Sequence, residues 1–130
     1  MDKRKLVVYV AGPFRASSKY MPGQQDGFGI FTNVFNAAQL ALEVWRLGAV
    51  ALCPHMNTFC FQNAAPDDVW LDGDLELLFR CDAVLMTPDW ARSTGARAEQ
   101  VFALEHGIPV FYALHELVTW LEEAGVTPAV

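Results

Sequence analysis

The sequence predicts an α/β fold in which a mainly parallel sheet of four to five strands is covered by helices on both faces. Short, almost wholly apolar runs alternate with stretches of helical period along the whole chain. The first run, Leu6-Val7-Val8-Tyr9-Val10-Ala11, lacks the in-and-out alternation of a half-solvated strand, which marks a central parallel strand buried on both sides. Gly12-Pro13 and Pro54 close the first two apolar runs, and Gly48 and Gly107 close two of the helical stretches.

Taken in order, Leu6 to Ala11 is the first strand. Residues 12 to 28, punctuated by Gly12, Pro13, Pro22, Gly23 and Gly27, read as a long loop, a kind of segment that often carries function. Thr32 to Leu47 is helical, because Val34, Ala37, Ala38, Ala41, Leu42 and Trp45 recur at spacings of three and four. Ala49 to Cys53 is the second strand and residues 54 to 66 a second loop. Asp67 or Asp68 caps a helix to about Arg80, with Leu71, Leu75, Leu78 and Phe79 as its apolar face. Asp82 to Met86 is the third strand, Gly95 to His106 a helix, Ile108 to Tyr112 the fourth strand, and Leu114 to Ala124 the last helix. No repeat or linker interrupts this order, so residues 1–130 are expected as one domain.

With 53% apolar and 18% charged residues, the chain suits a globular core and not disorder. A net charge of −6 argues against a nucleic-acid polymer or a membrane surface as partner, while a local site can still hold a small anion. Cys53, Cys60 and Cys81, with no signal-like segment after the basic residues of Met1 to Lys5, point to free thiols in a cytoplasmic setting. No stretch approaches the roughly 20 apolar residues of a membrane-spanning helix. Cys53, His55 and Cys60 lack a fourth ligand and a C-x-x-C pair, so no metal is expected. Neither G-x-G-x-x-G nor a P-loop occurs, and no cofactor is expected. The apolar excess, four tryptophans included, predicts a homodimer or larger homo-oligomer.

In a parallel sheet, ligands bind beyond the carboxyl ends of the strands. Those ends are Tyr9 to Arg15, Cys53 to Asn57, and Thr87 to Gly95, so three loops are expected on one edge. In the first, Gly12 lets a ligand approach the backbone and Arg15 can meet a phosphate, with Pro13 and Phe14 between them; the alternative is an ordinary strand-ending turn. In the second, His55 and Asn57 stand where they would line a pocket. The third passes Asp89 and Trp90 to Ser93-Thr94-Gly95, where Ser93 or Thr94 caps a helix whose free N–H groups can hold an anion.

Glu99 lies about one turn into that helix, among Ala96, Ala98, Val101, Phe102 and Leu104, an apolar setting for a carboxylate. Asp74, on the preceding helix, adjoins Leu75 and Leu78; it reads as a capping or first-turn carboxylate, or else as a general acid or base at the buried boundary. Asp72 and Glu76 read as solvated. Two carboxylates in a partly dry cleft have their pKa values pushed apart, so that one can attack while the other gives a proton. His106 and His115, at a helix end and a helix start, read as structural.

Four stretches stand in a characteristic order over residues 6 to 112: Val8-Tyr9-Val10-Ala11-Gly12-Pro13, Gly73-Asp74-Leu75-Glu76-Leu77-Leu78, Cys81-Asp82-Ala83-Val84, and Ser93-Thr94-Gly95-Ala96-Arg97-Ala98-Glu99 with Gly107-Ile108-Pro109-Val110. The set resembles the nucleoside 2-deoxyribosyltransferase-like superfamily, and looks closest to its small branch of the DUF4406 type. The resemblance implies a flavodoxin-like (Rossmann-like) three-layer sandwich. It also implies cleavage of the N-glycosidic bond of a (deoxy)nucleoside or nucleotide. By resemblance, Glu99 is the nucleophile that holds the sugar covalently, Asp74 protonates the leaving base or orients the nucleophile, and Tyr9 orients Glu99. Gly12, Ser93 and Gly95 match positions that contact the ligand.

Transferases of the superfamily carry a carboxylate near the serine position for the sugar's 5′-hydroxyl, whereas its 5′-monophosphate hydrolases carry a serine. Ser93, with Arg15, Arg92 and Arg97 nearby in sequence, therefore implies a nucleoside 5′-monophosphate, and Asp89 is the residue that could return a carboxylate to the pocket. The transferases' carboxy-terminal segment, which lends an asparagine to a neighbouring subunit, has no match here. Deoxyribosyl transfer and non-catalytic nucleotide binding stand as the alternatives. The resemblance further implies a homo-oligomer with sites near the interface.

Overall fold

The computed structural model describes residues 4–61 and 63–130, so the first three residues of the basic amino-terminal stretch and one residue of the expected 54–66 loop lie outside it. The strands are β1 (Val7–Ala11), β2 (Val50–Leu52), β3 (Ala83–Met86) and β4 (Val110–Phe111). The helices are α1 (Gly27–Arg46), α2 (Pro54–Asn57), α3 (Asp67–Phe79), α4 (Thr94–Glu105) and α5 (Leu114–Glu123).

The strands pair in the order β2-β1-β3-β4, all parallel, and helices cover both faces: the fold is an α/β sandwich of the flavodoxin-like kind. The apolar run of the first strand explains its place. Val8 through Ala11 are fully buried in β1, and β3 is buried at every residue, so these two strands form the centre of the sheet. Their side chains alternate between the layers. Val8 and Leu85 pack with Val44 of α1 and Leu117 and Leu121 of α5. Tyr9, Ala11, Val84 and Met86 point the other way, onto Leu78 of α3 and Ala96 and Ala103 of α4. This parity puts Tyr9 on the same side as the helices that carry Asp74 and Glu99.

The order of pairing reverses at β1, because the chain first builds outward to β2 and then crosses back to β3. The carboxyl ends of β1 and β3 therefore flank the topological switch point, where a crevice opens in such sheets.

Three elements differ from the sequence expectation. Helix α1 begins at Gly27, five residues before Thr32, and takes in part of the expected long loop. Gly29 is a packing feature and not a break: a Cβ there would lie 2.6 Å from the Ala16 Cβ. The loop at 54–66 contains α2, started by Pro54 at its first helical position, and a 3-10 turn at Phe59–Phe61. Asp74 is neither a cap nor a first-turn residue, because α3 starts at Asp67 and Asp74 falls in its interior. Gly48 and Gly107 end α1 and α4 with φ of +94° and +69°, as the helix stops require. No helix among the described residues is long and apolar enough to cross a membrane.

Candidate active site

The switch point opens into a cavity of about 650 Å³, the larger of the two principal hollows among the described residues. Its wall is built from the three expected loop regions and from α3: Gly12 to Arg15 after β1, Pro54, His55 and Thr58 after β2, Trp70, Leu71 and Asp74 on α3, and Arg92 to Ala96 with Glu99 at the start of α4.

Beneath the cavity, the Tyr9 hydroxyl, fully buried, donates a hydrogen bond to Glu99 Oε2. Glu99 is only 8% exposed. Burial pushes its pKa up to about 8, the Tyr9 hydrogen bond opposes that rise, and the charge of Asp74 adds to it. Burial likewise raises Asp74 to about 6. The Tyr9 phenol is raised well above its ordinary value by burial, and further by the charges of Glu99 and Asp74. The structure thus brings the three residues into one electrostatic unit, with both carboxylates on the cavity wall and the phenol behind one of them.

The helix start makes the other end of the cavity. Ser93 is the N-cap of α4, and its Oγ accepts from the Ala96 N–H at 3.1 Å. The Arg97 N–H is used by the Ser93 carbonyl at 3.0 Å. The N–H groups of Thr94 and Gly95 are the remaining donors of the first turn, and both residues line the cavity. An anion placed there meets those donors and the positive end of the α4 dipole.

The loop after β1 is held by side chains from two other elements. His55 Nε2 donates to the carbonyls of Gly12 at 3.0 Å and Pro13 at 2.8 Å. Burial lowers the His55 pKa, which keeps the ring neutral, and its Nδ1 has no partner among the described residues. Asn33 Nδ2 donates to the carbonyls of Phe14 at 3.1 Å and Arg15 at 3.3 Å. Asn33 was not singled out by the sequence. The available signal is a buried asparagine on the apolar face of α1, between Ile30 and Ala37.

Gly12 is required sterically, because a Cβ there would lie 2.3 Å from Thr87 Oγ1. Gly95 is not: its nearest neighbours would sit at 3.7 Å and beyond, an ordinary contact. Phe14 tilts against the His55 ring with centroids 5.9 Å apart. Arg15 lies on the cavity rim and is ion-paired with Asp67 at the start of α3.

Three expected site residues lie elsewhere. Asn57 ends α2 on its far side and lines a separate dent with Trp45 and Met56. Trp90 turns into the α4 side of the core, its ring 5.5 Å from that of Tyr112. Asp89 is not on the cavity wall. Its carboxylate accepts from Thr87 Oγ1 at 2.9 Å and from Arg92 Nη2 at 2.8 Å. Burial works to raise the Asp89 pKa, but the Arg92 and Thr87 hydrogen bonds outweigh it and hold it below the ordinary value. Arg97 is exposed and donates to the Ala91 carbonyl at 3.0 Å. Cys53, His55 and Cys60 do not converge: no group of three metal-ligating side chains comes together among the described residues.

No curated protein matches this sequence. A family model does, over residues 6–112, and its description is "Domain of unknown function (DUF4406)". That span contains every residue of the cavity wall, from Gly12 to Glu99, as well as all four strands. The chain belongs to the DUF4406 family.

Proposed function

We propose that the protein is an N-glycosidase that cleaves the glycosidic bond of a (deoxy)nucleoside 5′-monophosphate through a covalent glycosyl–Glu99 intermediate. One observation carries the reading: a buried carboxylate held by a buried phenol shares a cavity with a second, half-buried carboxylate and a helix amino terminus. The resemblance to nucleoside 2-deoxyribosyltransferase-like enzymes supports the same assignment. Asp89 lies off the cavity wall and Ser93 caps the helix, which favours a phosphate over a free 5′-hydroxyl at that end.

In the first step the Glu99 carboxylate attacks the anomeric carbon. The C–N bond breaks with its electron pair passing to the base, and the proton of Asp74 neutralises the leaving nitrogen. In the second step Asp74, now ionised, takes a proton from water, whose oxygen attacks the same carbon and releases Glu99. The products are the free base and the sugar 5-phosphate, with configuration retained by the double displacement. Tyr9 holds the Glu99 carboxylate in line.

The test is base release from a panel of ribo- and deoxyribonucleoside 5′-monophosphates, read by chromatography, with wild type and Glu99→Gln. Turnover of at least one monophosphate, lost in the variant, is expected. No turnover on any member, or turnover unchanged in Glu99→Gln, overturns the proposal. Base exchange in place of release identifies a deoxyribosyltransferase.

A further inference from the structure

The outer face of α1 carries Phe28, Phe31, Phe35, Ala38, Leu42 and Trp45. The spacing alternates three and four residues without a break, the narrow seam by which one helix packs along another. None of the six belongs to the buried set of α1, which is Ile30, Asn33, Ala37, Ala41 and Val44. Phe28 is 80% exposed, and Phe31, Phe35, Leu42 and Trp45 are each about half exposed.

We propose that this seam is a dimer interface in which two copies of α1 pack antiparallel about a two-fold axis. The seam is complementary to itself in that arrangement. With the axis passing between Asn36 and Ala37, Phe35 faces the small Ala38 of the other copy, Phe31 faces Leu42, and Phe28 faces Trp45. Each large ring meets a smaller or differently shaped residue, and every contact occurs twice, as an isologous interface demands. Beside Trp45 lies the second hollow, a dent of about 390 Å³ at the β2 edge of the sheet. The Phe28 ring of the other copy reaches that dent.

The charges agree with the same register. Thr32, Asn36 and Gln39 flank the seam and are uncharged, and Glu43, the next residue of that row, is paired with Arg46 of its own chain at 2.8 Å, so two chains of net charge −6 meet there without an unpaired acidic row. Asp26, at the amino-terminal cap of α1, comes one residue from the position opposite Arg46 of the other copy, whose guanidinium its own Glu43 already holds at 2.8 Å and which a second carboxylate can share. The helix dipoles run in opposite directions. The exposed apolar residues of the other layer, such as Phe79 on α3 with Val101 and Leu104 on α4, keep no such period.

The test is sedimentation velocity with light scattering, on wild type and on Phe31→Glu, Ala38→Glu and Val101→Glu, with circular dichroism to establish folding. Wild type is expected as a dimer. Phe31→Glu and Ala38→Glu are expected to raise the dimer dissociation constant about tenfold or more, and Val101→Glu to leave it unchanged. The register has its own readout: Arg46→Glu weakens the dimer, and adding Asp26→Arg to it restores the affinity. A wild type that is monomeric at about 100 μM overturns the proposal. So does a dimer that ignores the α1 variants or is broken by Val101→Glu, and so does failure of the double reversal to restore. A monomer that instead co-sediments with phosphatidylglycerol vesicles, and loses this with Phe28→Glu, overturns it in favour of a membrane contact.

Discussion

Asn33 and His55 divide four consecutive carbonyls between them: His55 takes those of Gly12 and Pro13, Asn33 those of Phe14 and Arg15. The loop that rims the cavity is therefore positioned by an α1 residue and an α2 residue from outside itself. Replacing Asn33 with Leu leaves two carbonyls short of a donor at a partly buried site. The expected loss is about 1–3 kcal/mol in denaturant unfolding, with a rise in KM larger than the fall in kcat.

Tyr9→Phe keeps the ring in the core and deletes only the donor to Glu99. The Tyr9 hydrogen bond holds the Glu99 pKa down, so its loss moves that pKa upward. The expected result is a drop in kcat/KM of about 10–100-fold at neutral pH, partly recovered as the pH is raised. A variant whose profile keeps the wild-type alkaline limb would separate Tyr9 from the ionisation of Glu99.

The two carboxylates predict the pH profile. With Asp74 near 6 and Glu99 near 8, the pair carries one proton between those values. The rate is expected to rise through about 6 and fall through about 8. The proton rests mainly on Glu99, whose pKa is the higher of the two, and the reactive form, with Glu99 ionised and Asp74 protonated, is the minor one. Asp74→Asn should turn the bell into a single rise towards high pH, at a lower plateau. Its midpoint should fall below that of Glu99 in the wild type, since the Asp74 charge is gone.

The same burial couples stability to pH. The folded Glu99 pKa lies above the ordinary value of 4.5, so between 4.5 and about 8 the folded state binds more protons than the unfolded one. Stability therefore falls as pH rises through that window, by an amount on the order of a few kcal/mol in total. Glu99→Gln removes the share of that slope due to Glu99, which above about 6, where Asp74 has titrated, is the larger part. Thermal melts should show the variant more stable than wild type at pH 8, with the gain shrinking towards pH 4.5.

Two glycines of the site should respond in opposite ways to alanine. Gly12→Ala drives a Cβ into Thr87 and is expected to cost about 1–3 kcal/mol or more. Gly95→Ala meets nothing closer than 3.7 Å and adds helix propensity, so stability should hold or rise slightly. Its methyl faces the anion end of the cavity, and the expected penalty appears in monophosphate binding, measured by calorimetry.

The central strands were legible because their apolar runs are too continuous for anything but a doubly covered sheet. A cap at Ser93 or Thr94 followed from their place before a helical run, with the structure choosing Ser93, and the meeting of the three loops followed from the parallel order. The start of α1 was not legible, because Gly27 and Gly29 carry the local signature of a loop, while only the packing of Gly29 against Ala16 shows why a glycine sits inside the helix. Asn57 and Trp90 follow strands in sequence just as His55 and Ser93 do. Only the direction of the short helix α2 and of the turn at Trp90–Arg92 separates residues that face the cavity from those that do not.

Helix α4 carries the free N–H groups of Thr94 and Gly95 and the Glu99 carboxylate on one rigid rod. At about 1.5 Å of rise per residue, Glu99 lies about 6 Å along the axis from Gly95. The rod is a ruler. On the proposed function, a ligand anchored by its phosphate at the helix start would present to Glu99 whichever carbon lies at that reach, so selection among sugars would be by length as well as by chemistry. A shorter or longer tether between phosphate and ring would bring the wrong atom to the carboxylate, however well the base fits.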